Sequence, residues 1–424
     1  MPVLYFLQGI PYFVVDTATT IFFKRLEVPV DAIGHWSSLL TLPWTLKPLW
    51  SPLVDMRAKK RTWIVATQTL AVAAMGALAR AATASDAVMW CVVCCASIAL
   101  FSATHDIACD GFYLLALDEK QQAAFVGVRS AAYRLARIFV AGAIVKLAGA
   151  LEARYASVPR AWMTALGALA AVYALGAVWN ALAMPRPPGD GPAGREAGDG
   201  AAAAHASATQ RPPFLEALGS YFRQPRIGAV IAFIVFYRFG ESMLTKMAPA
   251  FLLSRRDEGG LGFTTEEVGD AIGTLGVIAL VAGGILGGYW ISRRGLKRSL
   301  WPMVIAMHAP NLLYAWAAFA VPSRGAVLAI IGVEQLGYGF GFSAYMVFLM
   351  TISRSSRFST THYAISTGIM GLAALLAGFI SGDIVKSVGF GGFFVAVCAC
   401  SIPGMITLFF IPTADTRASS AERA

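Results

Sequence analysis

The chain has 424 residues, of which 57% are hydrophobic, 14% charged and 12% aromatic. Soluble domains carry about 25% charged and roughly 45–50% apolar residues, and disordered chains are poor in aromatics, so both classes are excluded. The net charge of +10 falls mostly on connections between apolar runs, concentrated on alternate ones, which is the positive-inside pattern of a membrane protein and makes a nucleic-acid partner unnecessary.

Apolar runs long enough to cross roughly 30 Å of hydrocarbon recur along the chain, whereas a β-barrel would show short alternating segments. Six spans are expected at residues 3–23, 33–52, 63–82, 87–114, 124–149 and 161–183. Six more are expected at 227–253, 265–290, 300–320, 326–350, 361–382 and 390–411. The fold class is therefore an all-α membrane protein of twelve transmembrane helices in two six-helix bundles, residues 1–183 and 227–412. Between them, residues 184–226 read as a flexible cytoplasmic linker rich in Pro, Gly and Ala. Residues 413–424 read as a cytoplasmic tail. No basic stretch precedes Leu4, so no cleavable signal is expected.

Charges inside apolar spans cost at least ~2.5–3.5 kcal/mol at the bilayer centre, so each needs a partner, a wet cavity or a function. Span 1 carries Asp16, beside Gln8, Tyr12 and Thr17. Span 2 carries Trp44 and Lys47. The loop after it reads Ser51-Pro-Leu-Val-Asp55-Met-Arg57-Ala-Lys59-Lys60-Arg61. An acid at a helix end can pair with loop cations and latch neighbouring helices, which assigns Asp55, Arg57, Lys60 and Arg61 to a cytoplasmic latch. Span 4 ends in Thr104-His105-Asp106-Ile-Ala-Cys-Asp110. Asp106 and Asp110 are four apart and share a helix face, where two like charges repel. Folding the chain about a turn near residue 119 places Arg134 beside Asp106 and Arg129 beside Asp110. Such a ladder can latch two helices or carry protons; the readings are compatible, because a carboxylate that loses its arginine becomes protonatable.

Arg238 and Glu241 lie mid-span 7 and can pair along one helix, with Lys246 two turns further on. Spans 1 and 7 are equivalent in the two halves, so polar groups at matching depth point to a shared cavity. The loop after span 8 repeats the first latch loop in weaker form, Gly288-Tyr-Trp-Ile-Ser292-Arg293-Arg294-Gly295-Leu-Lys297-Arg298. It keeps the basic residues Arg293, Arg294 and Arg298 but has Ser292 in place of the acid. Span 10 holds Glu334 and Gln335 ahead of Gly337, Gly339 and Gly341, a glycine row that permits close helix approach, and Tyr345 beyond it. Lys146 and Asp383 lie near span ends and read as snorkelling charges. All six cysteines fall within spans and read as small packing residues. Cys91, Cys94 and Cys95 lack a second cluster to complete four ligands, so neither a metal nor a cofactor is expected. His105, His308 and His362 read as hydrogen-bonded bystanders.

These motifs resemble one family. THDIACDGFYLLAL…AYRLARIFVAGA is similar to the Thr-Gln-Asp-Ile-x-x-Asp-Ala…Gly-Tyr-Arg-x-Gly segment of the AmpG-type anhydromuropeptide permeases, a branch of the major facilitators. Asp106, Asp110, Tyr133 and Arg134 match it position by position, and His105 replaces Gln. GVEQLGYGFGFSAYMVFLM with RFSTTHYAISTG, and YRFGESMLTKMAPAFLL, resemble later segments of the same family, with Gln335 for Asn, His362 for Gln, Arg238 for Lys and Glu241 for Asp. The resemblance implies proton-coupled import of anhydromuropeptides by a monomer of the bacterial inner membrane, both termini cytoplasmic. Protons, a small-molecule substrate and the lipid bilayer would be its partners. Coupling or gating would fall to Asp106, Asp110, Arg129, Arg134, Asp16 and Glu241. The cavity would be lined by Gln8, Tyr12, Trp44, Arg238, Lys246, Glu334, Gln335 and Tyr345. Siderophore importers are similar to this family as well. An intramembrane enzyme is the alternative of another class, since Asp106-x-x-x-Asp110 is reminiscent of diphosphate-binding sites. Such sites need a second acid cluster, and spans 7–12 offer no matching pair. A nucleotide-binding Gly-x-x-x-x-Gly-Lys-Ser/Thr loop is absent from the sequence, which leaves ion or solute gradients as the energy source.

Overall fold

A computed structural model describes residues 1–50, 54, 58–117, 129, 131–187, 190, 219–354 and 359–412. Within them every regular element is helical. The first half contains α1 (Pro2–Phe13), α2 (Thr19–Arg25), α3 (Val30–Leu39), α4 (Leu42–Leu46), α5 (Lys60–Ala81), α6 (Ala87–Ala116), α7 (Val145–Tyr155) and α8 (Val158–Ala183). The second contains α9 (Ile227–Phe236), α10 (Phe239–Leu253), α11 (Thr265–Val268), α12 (Val277–Arg294), α13 (Leu296–His308), α14 (Asn311–Ala320), α15 (Arg324–Arg354) and α16 (Ser359–Thr407).

Nine stretches among the described residues are helices long and apolar enough to cross a membrane. The all-α membrane class holds, while the twelve expected spans are not all separate straight helices. Expected spans 11 and 12 run as one stretch, Ile365–Thr407, bent where Gly389 takes φ +70°. That conformation falls in the left-handed region that glycine enters without a Cβ clash. Span 2 is broken between α3 and α4, just ahead of Pro43, and passes into a tight turn of helix at Lys47–Leu49. Proline removes a backbone donor and favours such breaks. Span 5 lies partly outside the described residues.

The chain divides into two compact units. One comprises Met1–Val28, Trp36–Gln210 and Thr264–Gly273; the other comprises Pro29–His35, Arg211–Phe263 and Thr274–Ala424. In the first, α5 packs between α6 and α8, around a core that includes Leu4, Ile64, Cys109 and Phe112. In the second, α15 packs on α12 and α13 while α16 receives α9, α10 and α14. Its core is built from Phe233, Tyr237, Met303, Met307, Tyr345 and Phe348. The glycine row of α15 does what its spacing predicts: a Cβ at Gly339 would lie 2.1 Å from the Leu280 carbonyl oxygen. Large apolar side chains such as Leu175, Leu182, Ile285, Phe319 and Phe409 are exposed, whereas Gln68, Glu241, Asn311 and Glu334 are buried. That inversion of the soluble pattern suits a hydrocarbon solvent.

Among the described residues, three π-helical segments interrupt the spans, at Val14–Ala18, Ile138–Ile144 and Gly269–Gly276. Each shifts the hydrogen-bond register and re-aims the side chains beyond it, an irregularity frequent at functional sites. The first holds Asp16 and begins three residues after Pro11.

Candidate functional site

In the first unit, the lower part of α6 carries the two acids on one face, and each has a cation. Arg129 Nη2 donates to Asp110 Oδ1 at 2.7 Å, the pairing that the turn near residue 119 predicts. Asp106 is different. Its cation is Lys47, with Nζ 3.6 Å from Oδ2, and Arg134 is exposed. The expected Arg134–Asp106 rung is therefore corrected to Lys47–Asp106. The broken span 2 explains the change, because its turn of tight helix brings Lys47 against α6, and sequence folding about one turn cannot see a third helix.

Asp106 is largely, though not fully, shielded. Its side chain is 13% exposed, and Oδ1 is buried without a hydrogen-bond partner among the described residues. The Gln8 side chain reaches it from α1. Tyr133 lies near Tyr12, Asp16 and Asp106 together, so the π segment that holds Asp16 faces the same place as the ladder. Tyr12 packs edge-on against Trp44, with ring centroids 5.1 Å apart. Beside Asp110, Arg129 sits over the rings of Tyr5 and Tyr113, at 4.6 and 5.7 Å from their centroids. Aromatic faces hold a cation without neutralising it, so Arg129 remains able to pair with an anion. Tyr5, Tyr113 and Lys47 were not picked out as site residues by sequence. The available signal was Lys47 itself, a lysine inside an apolar span between two prolines.

Of the first latch loop, Asp55 and Arg57 lie outside the described residues. Lys60 and Arg61 start α5, and their backbone N–H groups donate to Asp190 at 2.6 and 3.2 Å. An acid from the early linker thus caps this helix. In the second latch loop, Arg293 and Arg294 lie over the rings of Tyr289 and Trp290, at 5.3 and 3.9 Å, and Arg298 is exposed.

In the second unit, Arg238 occupies the break between α9 and α10. Its guanidinium donates to the Tyr338 hydroxyl and lies 4.7 Å from the Phe342 ring centroid. Glu241 is fully buried and faces Glu334. Gln335 Nε2 donates to both Glu334 oxygens at 3.0 Å. Lys246 is half-buried. Tyr345, expected in a cavity, belongs to the apolar core: its ring stacks on Tyr237 at 5.2 Å, and its hydroxyl donates to the Ile234 carbonyl at 2.8 Å.

Lys146 and Asp383 do not snorkel alone. Lys146 Nζ lies 2.9 Å from Asp270 within the first unit. His35 Nε2 lies 2.8 Å from Asp383 within the second, next to Lys386–Asp31 at 2.6 Å. These partners are more than 100 residues apart in sequence, which is why reading spans one at a time missed them. Among the histidines, His105 bonds Gln68 at 3.0 Å and His362 bonds Ser220 at 2.8 Å, as expected of bystanders. His308 is buried with neither ring nitrogen bonded among the described residues.

Paired charges on broken helices, inside a shell of outward apolar side chains, are the architecture of a solute carrier. The pattern of the Major Facilitator Superfamily matches residues 3–361. The chain belongs to the major facilitator superfamily. It is a transporter and not an enzyme, and it crosses the membrane several times. It is 26% identical over 416 residues to the anhydromuropeptide permease of Escherichia coli K12, covering 96% of this chain and 78% of that one. It is also 23% identical over 431 residues to an uncharacterized protein of Haemophilus influenzae, covering 96% of this chain and 92% of the other. Among solved structures, a nucleoside transporter NupG mutant superposes with a TM-score of 0.67 at 16% identity, covering 96% of this chain and 97% of that one. A D-xylose-proton symporter does so with a TM-score of 0.69 at 11% identity, covering 97% and 96%. At these identities the two structures speak for the fold alone.

Proposed function

We propose that this major facilitator is a proton-coupled importer of a bulky anionic solute of the anhydromuropeptide type. It would act as a monomer in a bacterial inner membrane with both termini cytoplasmic. The observation that carries the coupling is the Lys47–Asp106 pair. A largely shielded carboxylate is held by one partly exposed lysine, with Gln8 in reach and Trp44, three residues before Lys47, packed on Tyr12 of α1. A carboxylate on the solute competes for Lys47. Asp106 then loses its neutralising charge and takes a proton in its place. Solute binding and proton binding are thereby linked, each raising the affinity for the other. Asp110–Arg129 is the second exchangeable pair of the same face, with Asp16 and Arg134 as further coupling or gating groups. Arg238 and Lys246 supply positive charge for acidic solutes, and Tyr12 and Trp44 supply faces for sugar rings. The resemblance to the permease of Escherichia coli supports the solute class.

The test is uptake of labelled anhydromuropeptide into right-side-out vesicles, with and without a protonophore. The proposal expects uptake that the protonophore abolishes. A folded, inserted protein giving no uptake would overturn the solute assignment, and protonophore-insensitive uptake would overturn the coupling.

A further inference from the structure

The two basic runs repeated in the sequence are met differently. In the first unit an acid lies on the run: Asp190 accepts from the backbone N–H groups of Lys60 and Arg61, and the Arg61 guanidinium donates to the Ala181 carbonyl. In the second unit, residues 293–298 hold four cations in six residues and no acid. Arg294, Lys297 and Arg298 are exposed, and none of the three forms an ion pair with a described residue. Arg294 is held by a ring instead, its guanidinium 3.9 Å from the centroid of Trp290, one turn earlier on α12. Arg293 lies over Tyr289 in the same way. An aromatic face fixes a cation without neutralising it.

The run also stands at a particular depth. One membrane-crossing stretch, Thr265–Arg294, ends in it, and the next, Leu296–Ala320, begins in it. Tyr289 before it and Trp301 after it are exposed, and Trp301 packs on Phe409 with ring centroids 5.1 Å apart. Tyr and Trp collect where hydrocarbon meets the lipid headgroups. Further into the spans, outward apolar side chains take over, Ile285 and Leu286 on α12 and Ile305 on α13. A basic run by itself orients a span. Fixed cations at the rim of outward apolar surface match a molecule with an anionic head and hydrocarbon tails, whereas a water-borne anion would use the cations alone.

We infer that Arg294, Lys297 and Arg298 bind the phosphate headgroup of an anionic phospholipid at this end of the second unit. The planar forks of the two arginines meet phosphate oxygens in pairs, and the Lys297 ammonium adds a point charge on a flexible stem. Tyr289 and Trp301 set the depth of the headgroup, and the acyl chains lie on the outward apolar side chains of α12 and α13. The inference needs only the membrane placement of the chain; neither the solute nor the proton coupling proposed above enters it.

The experiment titrates the purified full-length protein in detergent with phosphatidylglycerol, phosphatidylcholine or inorganic phosphate and follows thermal unfolding. Phosphatidylglycerol is expected to raise the unfolding temperature of the wild type, and the other two at equal concentration are not. The triple variant Arg294→Gln, Lys297→Gln, Arg298→Gln removes three exposed charges and should need roughly 100-fold more phosphatidylglycerol for the same rise. Lys59→Gln, which takes an exposed cation from the loop of the first unit, should leave the response unchanged. Ser292→Asp gives the second loop the acid that the first one carries and should also weaken the response; being a single exposed change, it carries the test alone if the triple variant fails to fold. An equal rise with phosphatidylcholine, a rise with inorganic phosphate that matches phosphatidylglycerol, or a response unchanged in the triple variant and in Ser292→Asp would each overturn the site.

Discussion

At the scale of single residues, the account turns on which cation holds which acid. Lys47 and Asp106 are partly shielded, at 34% and 13% side-chain exposure, so their coupling exceeds that of a surface pair without reaching that of a fully sealed one. Lys47→Ala leaves Asp106 without its cation, and a double-mutant cycle with Asp106→Asn is expected to return a coupling of about 1–3 kcal/mol in unfolding free energy. A value near zero would mean that the pair is incidental. Arg129 and Arg134 separate in the same way: Arg129→Ala breaks a 2.7 Å contact with Asp110, whereas Arg134 is exposed. Arg129→Ala should therefore cost more stability than Arg134→Ala, read by thermal unfolding in detergent. If transport nevertheless falls in Arg134→Ala while stability holds, Arg134 serves the moving protein and not the resting ladder.

At the scale of elements, backbone proximity sets the tolerances. Gly339→Ala on α15 would place a methyl group 2.1 Å from the Leu280 carbonyl oxygen of α12. Overpacking of this kind costs roughly 1–3 kcal/mol. Gly332→Ala on the same helix meets nothing within 4 Å and, by replacing glycine in a helix interior, should be neutral or slightly stabilising. Equal unfolding temperatures for the two variants would show that the α12–α15 contact is looser than described. At the start of α5, Asp190→Ala removes the acceptor of two backbone N–H groups and should cost about 0.5–2 kcal/mol, as loss of a helix cap does. Much of this level was legible in sequence. Apolar length located the spans, and the Gly337-x-Gly339-x-Gly341 row announced the close approach, because both are local patterns. The break at 237–238 was not legible, since neither Gly nor Pro occupies those two positions and packing decides it. Lys47–Asp106 escaped for a related reason: the pair joins helices two spans apart. Arg129–Asp110 joins neighbours across one turn and could be derived by counting.

At the scale of the whole molecule, each unit borrows a short piece from the other half of the sequence, residues 264–273 in one and 29–35 in the other. Charged pairs fasten both pieces, Lys146–Asp270 and Lys386–Asp31. The ammonium of Lys386 holds the Asp31 carboxyl below the usual carboxylate range, with its hydrogen bond as the largest cause. A depressed acid contributes stability that is present above its unfolded value, near ~3.9, and is lost as pH falls through the folded one. The wild type should accordingly lose stability on the acid side of pH ~4, and Lys386→Ala should flatten that limb; an unchanged acid limb would remove Asp31 from the accounting. On the proposed coupling, each proton crossing would gain ~2.3 kcal/mol per 100 mV of membrane potential.

The most direct measurement is the pH change inside proteoliposomes when anhydromuropeptide is added outside, for the wild type and for Asp106→Asn. The account predicts solute-dependent acidification of the lumen by the wild type, and its loss in Asp106→Asn although the protein is inserted and folded. Solute entry without proton movement, or unchanged acidification by Asp106→Asn, would contradict it.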